Sequence, residues 1–295
     1  MRRRILFQAQ YQRPGLNIVP AAAGTGEAAL PEPSTLPADE PTRVDIDQAF
    51  VISDDLAAPA CERQLAPEGT PATDSDDRQR GTNFQSFREL LCGSKPVVWV
   101  FAGDSITQGA HHTDGQRNYC EHFAERIHSQ LHRHYDVVIN ASVPGETAQS
   151  LLADLEWRIL RFRPDAVSVM IGINDATAGH KGRSEFRRNL EHIVQCIRAD
   201  KALLLLHTPP RVDVERVNTR ADLRSYVRLV RDVARELDVP CVDHWAFWKM
   251  AAADGGNINA WLAADGLHPT AEGHRHLAKL LFKRFGIARG RTTSG

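Results

Sequence analysis

The sequence predicts an α/β fold with a central five-stranded parallel sheet, and three observations lead to this prediction. From residue 95 onward, short apolar runs alternate with amphipathic stretches. The apolar runs lack the alternation of half-exposed strands, which is typical of parallel strands covered on both faces. Small and polar residues follow each run, as at the carboxyl edge of such a sheet. This order predicts one domain with right-handed crossovers and helices on both faces.

Five apolar runs are the predicted strands: residues 97–102, 137–141, 166–171, 202–207 and 241–243. The stretches between them place apolar residues on one face at helical spacing, which predicts helices over 119–134, 151–162, 186–197 and 221–237. A last helix over 271–285 has Thr270 as its predicted N-cap and ends at Gly286. A short helix over 84–91 precedes the first strand.

The first 90 residues differ in composition from the rest of the chain. The span 20–80 is rich in Pro, Ala, Gly, Asp and Glu, with few aromatic residues and no helical periodicity. Such a segment buries too little apolar surface to offset the ordering of the chain. We therefore predict a largely irregular N-terminal extension over 1–90 and a folded domain over 91–290. A docking segment is an alternative for the extension, and the composition favours it less.

Composition and charge narrow the class of protein. The chain has 42% hydrophobic and 25% charged residues and a formal net charge of −1. A charge this close to zero gives no electrostatic reason to expect nucleic acid or an anionic membrane surface as a partner. Residues 2–4 are basic, but Gln8 and Gln10 interrupt the apolar stretch that an export signal needs. We expect no signal peptide and no integral membrane segment, and hence a cytoplasmic protein.

The cysteines also favour a cytoplasmic protein. The five cysteines are widely scattered and none lies in a CxxC pair. This spacing suggests neither a zinc site nor a disulfide framework, so we expect reduced thiols.

The loops after the predicted strands carry the residues of a nucleophilic site. Ser105 follows the first strand, a glycine-containing loop follows the second, and Asn174 follows the third. Asp265 and His268 lie three residues apart before the last helix. A serine needs a base to become a nucleophile, histidine titrates in the right range, and an aspartate can fix the imidazole tautomer. The backbone N–H of Ser105, a glycine N–H of the second loop and the Asn174 amide are candidate oxyanion donors.

These blocks resemble a known family. Gly103-Asp104-Ser105-Ile106-Thr107, Gly145, Gly172-Ile173-Asn174-Asp175 and Asp265-Gly266-Leu267-His268-Pro269 are similar, in order, to the four signature blocks of the SGNH (GDSL-type) hydrolases. The resemblance covers roughly residues 96–285. It implies a flavodoxin-like three-layer α/β/α fold, a Ser105–His268–Asp265 triad, an oxyanion hole from Ser105, Gly145 and Asn174, and no metal or other cofactor.

Further residues are candidates for the substrate pocket: Asp104, His111, His207, Pro209 and Trp245. We expect Asp104 to be a structural hydrogen-bonding residue, since neighbouring residues point in different directions. His111 and His112 could line the pocket mouth. Trp245, Trp248 and Trp261 could equally stack on a sugar ring or pack that segment.

Two other patterns invite functional interpretations. Several of the 13 histidines lie close together in the sequence, but no Glu or Cys completes a zinc set, and solvated helix faces are favoured. A stripe of arginines runs along one predicted helix, at positions 220, 224, 228, 231 and 235. It could bind phosphates, but interspersed acidic residues favour a solvated outer face.

The sequence thus predicts a serine ester hydrolase that forms an acyl-enzyme. Because the loops lack a long apolar lid, we expect short-acyl esters such as acetylated carbohydrates. The alternatives are a lysophospholipase or acyl thioesterase of the same family and, ranked lower, a non-catalytic binding protein on this fold. A nucleotide-binding module ranks last, because the first loop has one glycine before its serine. The oligomeric state is open.

Overall fold

The computed structural model of the chain describes residues 84–288. Residues 1–83 lie outside the described residues. They include most of the predicted irregular extension and the segment for which we expect no signal peptide. Within 84–288, no helix combines the length and the apolar character that a membrane crossing requires.

A five-stranded, all-parallel sheet forms the centre of the domain. Its strands are β1 (Val98–Gly103), β2 (Val137–Asn140), β3 (Ala166–Met170), β4 (Leu203–Thr208) and β5 (Cys241–Asp243). They are ordered β2-β1-β3-β4-β5. Each strand end falls within one residue of its predicted position. The parallel sheet and the predicted fold class are confirmed.

Nine α-helices surround the sheet in the described part of the chain. They are α1 (Gln85–Cys92), α2 (Ser105–Gln108), α3 (Tyr119–Glu125), α4 (Ala148–Ala153), α5 (Leu155–Arg158), α6 (Gly179–Ala199), α7 (Leu223–Glu236), α8 (His244–Ala253) and α9 (Ala271–Phe285). Short 3-10 turns lie at Asp175–Ala178 and Asn218–Arg220. Helix α9 begins at the predicted N-cap, where Thr270 accepts a hydrogen bond from the backbone N–H of Gly273.

The helices pack in two layers and produce a three-layer α/β/α fold. Helix α6 packs against α4 and α7 in one layer, and α9 packs against α3 and α8 in the other. Helix α1 joins the second layer through a stacked contact between Phe87 and Phe285 of α9, whose ring centroids are 5.3 Å apart. Strands β1, β3 and β4 are buried between these layers, and Val100 of β1 is fully inaccessible, whereas the edge strands β2 and β5 stay partly accessible. This arrangement explains why β1, β3 and β4 are almost continuously apolar.

The structure differs from the predicted elements in three places. Helix α8 was not predicted. The helix predicted over 119–134 ends at Glu125 and continues as a π-turn over Arg126–Gln130. The helix predicted over 151–162 divides into α4, α5 and a 3-10 turn at Leu160–Phe162.

The cysteine prediction is wrong at one position. Cys92, at the end of α1, is disulfide-bonded. Cys120, Cys196 and Cys241 are free thiols, as expected.

Candidate active site

The end of β1 delivers Ser105 to the carboxyl edge of the sheet. Gly103 ends the strand, and a Cβ there would lie 2.5 Å from the backbone oxygen of Met170 on β3, so only glycine fits. Asp104 then caps α2, because its side chain accepts a hydrogen bond of 2.9 Å from the backbone N–H of Ile106. Ser105 is the first residue of this short helix and stays partly accessible.

A chain of hydrogen bonds connects Ser105, His268 and Asp265. Ser105 Oγ lies 2.8 Å from His268 Nε2, and His268 Nδ1 lies 2.6 Å from Asp265 Oδ2. The other oxygen of Asp265 accepts from the backbone N–H groups of Leu267 and His268, at 2.9 and 3.0 Å. The structure therefore brings together the three residues that the sequence predicted as a triad, 163 positions apart for Ser105 and His268.

The environment of Asp265 keeps its carboxylate charged. Partial burial raises the pKa of Asp265, but the hydrogen bonds from the His268 side chain and from the two backbone N–H groups outweigh it, and the pKa lies below its usual value. A carboxylate held in this way can orient the imidazole so that Nε2 faces the serine.

Possible oxyanion donors lie in the loops after β2 and β3. Gly145 is in an exposed turn with φ of 78°, in the left-handed region that favours glycine. Among the described residues, the backbone N–H groups of Ser105 and Gly145 donate to no protein acceptor. The Asn174 side-chain amide donates to the backbone oxygen of Glu146 at 3.0 Å, which places it beside the Gly145 loop.

Arg220 also reaches this site, which sequence analysis did not predict. Its guanidinium donates to Asn174 Oδ1 at 3.1 Å. This bond leaves the Asn174 Nδ2 group directed away from the guanidinium and toward the Gly145 loop. Burial lowers the pKa of Arg220, although nearby Asp104 raises it. The interpretation of the arginine stripe as a solvated face is therefore wrong at Arg220.

Two acidic residues near the nucleophile, Asp104 and Asp175, have raised pKa values. Asp104 is 1% exposed, and burial together with the charges of Asp175 and Glu146 raises its pKa to about 7 despite the hydrogen bond from Ile106. Burial likewise raises the pKa of Asp175 to about 6, while its Oδ1 accepts from the backbone N–H of Ala148 at 2.8 Å. The Asp104 side chain thus caps the helix that begins at Ser105 and, being buried, does not line an open pocket.

The other pocket candidates lie in different places. His111 is exposed, Pro209 is buried and Trp245 is half-buried. His207 is 1% exposed and lies in the core, where its Nε2 is 2.7 Å from Ser168 Oγ and its Nδ1 is 3.0 Å from His244 Nε2. None of these contacts involves the Ser105 site, because the His207 side chain is directed into the protein from β4.

His112 covers the histidine of the site. Its ring stacks on His268 with 4.1 Å between centroids and 11° between planes. Partial burial and the neighbouring His268 lower the pKa of His112 in spite of Asp265, so its neutral form is favoured. Ligand atoms of His112, Asp265 and His268 lie within 4.8 Å of one another and could hold a metal ion. Such an ion would replace the bonds that these atoms now make with one another and with Ser105.

A serine, a histidine and an aspartate are hydrogen-bonded at the carboxyl edge of the sheet in this parallel α/β/α domain, an arrangement that suits acyl transfer. The family is also clear. The chain belongs to the GDSL-like lipase/acylhydrolase family, whose model matches residues 101–276. It is a carboxylic ester hydrolase of the SGNH type.

Two proteins of known name are similar to this chain in sequence. An acetylxylan esterase of Geobacillus stearothermophilus is 26% identical over 209 residues, which cover 64% of this chain and 93% of that protein. The thioesterase 1/protease 1/lysophospholipase L1 of Escherichia coli (strain K12) is 26% identical over 149 residues, covering 50% and 66% of the two chains.

Solved structures agree in fold. A variant of a Geobacillus acetyl-xylooligosaccharide esterase superposes with a TM-score of 0.56 at 25% identity, covering 66% of this chain and 97% of that one. An enzyme from the metagenome of Lake Arreo has the same TM-score at 23% identity. Both structures cover 66% of this chain, and both agree with the three-layer fold.

Proposed function

We propose that this chain removes short acyl groups, in the first place acetyl groups, from a carbohydrate by way of an acyl-enzyme on Ser105. The observation that carries the proposal is the continuous chain Ser105 Oγ–His268 Nε2, 2.8 Å, and His268 Nδ1–Asp265 Oδ2, 2.6 Å. Both distances lie within hydrogen-bond reach for a nucleophile, its base and the residue that orients the base.

In the first half of the reaction Ser105 Oγ attacks the ester carbonyl and its proton passes to His268 Nε2. The negative charge that develops on the carbonyl oxygen is stabilised by the N–H groups of Ser105 and Gly145 and by the Asn174 amide. The intermediate collapses with cleavage of the ester C–O bond, and His268 returns the proton to the sugar oxygen. In the second half His268 takes a proton from water as the water oxygen attacks the acyl carbon. The intermediate then collapses with cleavage of the bond between Ser105 Oγ and the acyl carbon, His268 returns the proton to Ser105 Oγ, and the acid is released.

The surroundings of Ser105 support a short acyl group. Three polar side chains, His112, Asn174 and Arg220, contact one another or His268 at the site. A long acyl chain requires apolar lining, since each buried CH₂ group contributes about 0.8 kcal/mol. The acetylxylan esterase relative favours an acetylated carbohydrate, whereas the lysophospholipase relative makes a longer-chain ester the second candidate.

A series of p-nitrophenyl esters from acetate to laurate, run beside acetylated xylo-oligosaccharides, tests the proposal. We expect the highest kcat/KM for acetate and release of acetic acid from the oligosaccharide. Ser105→Ala should abolish both activities, while Ser184→Ala on the exposed side of α6 serves as a matched serine control. Activity that rises toward laurate would favour the second candidate, and turnover retained in folded Ser105→Ala would refute the mechanism.

A further inference from the structure

A groove of about 590 Å³ opens beyond the carboxyl ends of β4 and β5. It is lined by Arg211, Arg224, Arg231, Lys249, Asp243 and Trp245. Its volume lies in the range of pockets that hold small molecules. Neither the catalytic chemistry nor the packing of the core uses this groove.

The charges in the groove are unbalanced. Asp243 is the acidic residue of the lining, and Arg231 neutralises it through two hydrogen bonds of 2.8 Å each. Within residues 84–288, Arg211, Arg224 and Lys249 form no ion pair with a carboxylate. Three cations therefore face the groove without a counter-charge, and they would be stabilised by an anionic ligand.

An aromatic ring lies among these cations. Trp245 is half-buried at the start of α8, where its backbone N–H donates to Thr208 Oγ1 at 3.0 Å. The guanidinium of Arg211 lies 6.0 Å from the centre of its ring. Trp248 and Trp261 are buried and pack the core, so Trp245 alone of these three has a ring available to a ligand. A tryptophan ring offers a flat apolar surface of the kind that packs against a sugar ring.

Two connections join the groove to the Ser105 site. The segment after Arg211 packs on the turn that holds Asp265, because the backbone N–H of Asp213 donates to Gly266 at 2.8 Å. On the other side, Arg224 lies in the first turn of α7, four positions after Arg220, which binds Asn174. Both contacts show that the walls of the groove belong to segments that also adjoin residues of the Ser105 site.

We propose that the groove binds a uronic-acid residue, a sugar that carries a carboxylate, on the same oligosaccharide whose ester is hydrolysed at Ser105. Arg211 and Arg224 receive the carboxylate, and the Trp245 ring packs against the pyranose ring. This assignment rests on the proposed function. A neutral sugar would leave the three cations unneutralised. A nucleic acid would require a longer basic track with several stacking residues, which the single accessible tryptophan of this groove does not provide.

The kinetic test compares two acetylated xylo-oligosaccharides of equal length, one with and one without a glucuronic acid side group. We expect a KM about tenfold lower for the acidic substrate, with similar kcat and with the difference shrinking at high salt. Arg224→Glu and the double variant Arg211→Ala/Arg224→Glu should remove the difference while leaving p-nitrophenyl acetate hydrolysis unchanged. Arg228→Glu makes the same charge change on the exposed side of α7, outside the groove lining, and should retain the preference.

A direct binding measurement separates this proposal from the proposed function. Titration calorimetry with Ser105→Ala and the glucuronic acid-bearing oligosaccharide should show binding that Trp245→Ala and Arg224→Glu both weaken. Binding of this oligosaccharide together with no esterase activity of the wild-type protein would refute the proposed function and leave the groove assignment standing. Equal KM values for the two substrates, or displacement by inorganic phosphate as effective as that by free glucuronate, would overturn the groove assignment.

Discussion

Replacing Arg220 by methionine should slow ester hydrolysis although Arg220 touches none of the reacting atoms. Methionine keeps an unbranched side chain and removes the guanidinium that donates to Asn174 Oδ1 at 3.1 Å. Without that donor the Asn174 amide can rotate and direct its oxygen, instead of its NH₂ group, toward the Gly145 loop. An oxygen in that position would repel the oxyanion that the NH₂ group should stabilise.

The structure limits the size of this effect. A hydrogen bond to a charged group contributes about 1.5–3 kcal/mol, which corresponds to a fall in kcat of about 10- to 160-fold if the whole bond maintains the amide orientation. The Asn174 amide keeps a second bond, of 3.0 Å to the backbone oxygen of Glu146, which favours the lower end of this range. Removing the amide with Asn174→Ala should cost more, about 10²- to 10³-fold.

The assay measures kcat and KM on p-nitrophenyl acetate for Arg220→Met, Asn174→Ala and the double variant. If Arg220 acts through Asn174, the double variant should be no slower than Asn174→Ala, because the orientation of an absent amide has no consequence. Added ethylguanidinium should partly restore kcat in Arg220→Met and leave Asn174→Ala unchanged. Arg228→Met, on the exposed face of α7, controls for the loss of a positive charge.

Additive losses in the double variant would refute this reasoning, since they would mean that Arg220 contributes independently of Asn174. An increase in KM at constant kcat would refute it as well, because that pattern belongs to ground-state substrate binding.

Three further predictions concern residues that orient or support Ser105 and His268. Asp265→Asn should lower kcat by about 10⁴-fold with little change in folding, because the amide no longer selects the productive imidazole tautomer, as checked by kinetics beside circular dichroism. Gly103→Ala should reduce the free energy of unfolding by about 1–3 kcal/mol in urea titrations, since its Cβ would lie 2.5 Å from the Met170 oxygen. Because burial raises the pKa of Asp104 to about 7, the folded chain keeps a proton that the unfolded chain loses above about pH 4. The Asp104 contribution to stability should thus fall by about 1.4 kcal/mol per pH unit toward pH 7, and Asp104→Asn should flatten this dependence.

Most of the fold was predictable because its signals are local. Strands β1, β3 and β4 are short apolar runs, and α9 carries both its caps, Thr270 and Gly286, in the sequence. Helix α8 escaped prediction because its aromatic and apolar residues lie on all sides, without the one-sided stripe that indicates a surface helix. Only His244 and Trp248 of that helix are buried.

The sequence by itself determined which loops carry Ser105, Asn174, Asp265 and His268, because residues that follow parallel strands must arrive at one edge of the sheet. It also identified the family through those same blocks. Their assignment to catalytic roles stays a prediction until the variants are measured.

Only the tertiary structure decided which distant side chains meet. Arg220 and Asn174 are 46 positions apart, and His207 turned out to bond with Ser168 and His244 in the core. The charge of the groove at Trp245 likewise depends on which of its arginine and lysine side chains form no ion pair with a carboxylate of the described residues. Periodicity and capping report the state of the local backbone, whereas the partner of a long charged side chain depends on how separate elements pack, and no local pattern contains that information.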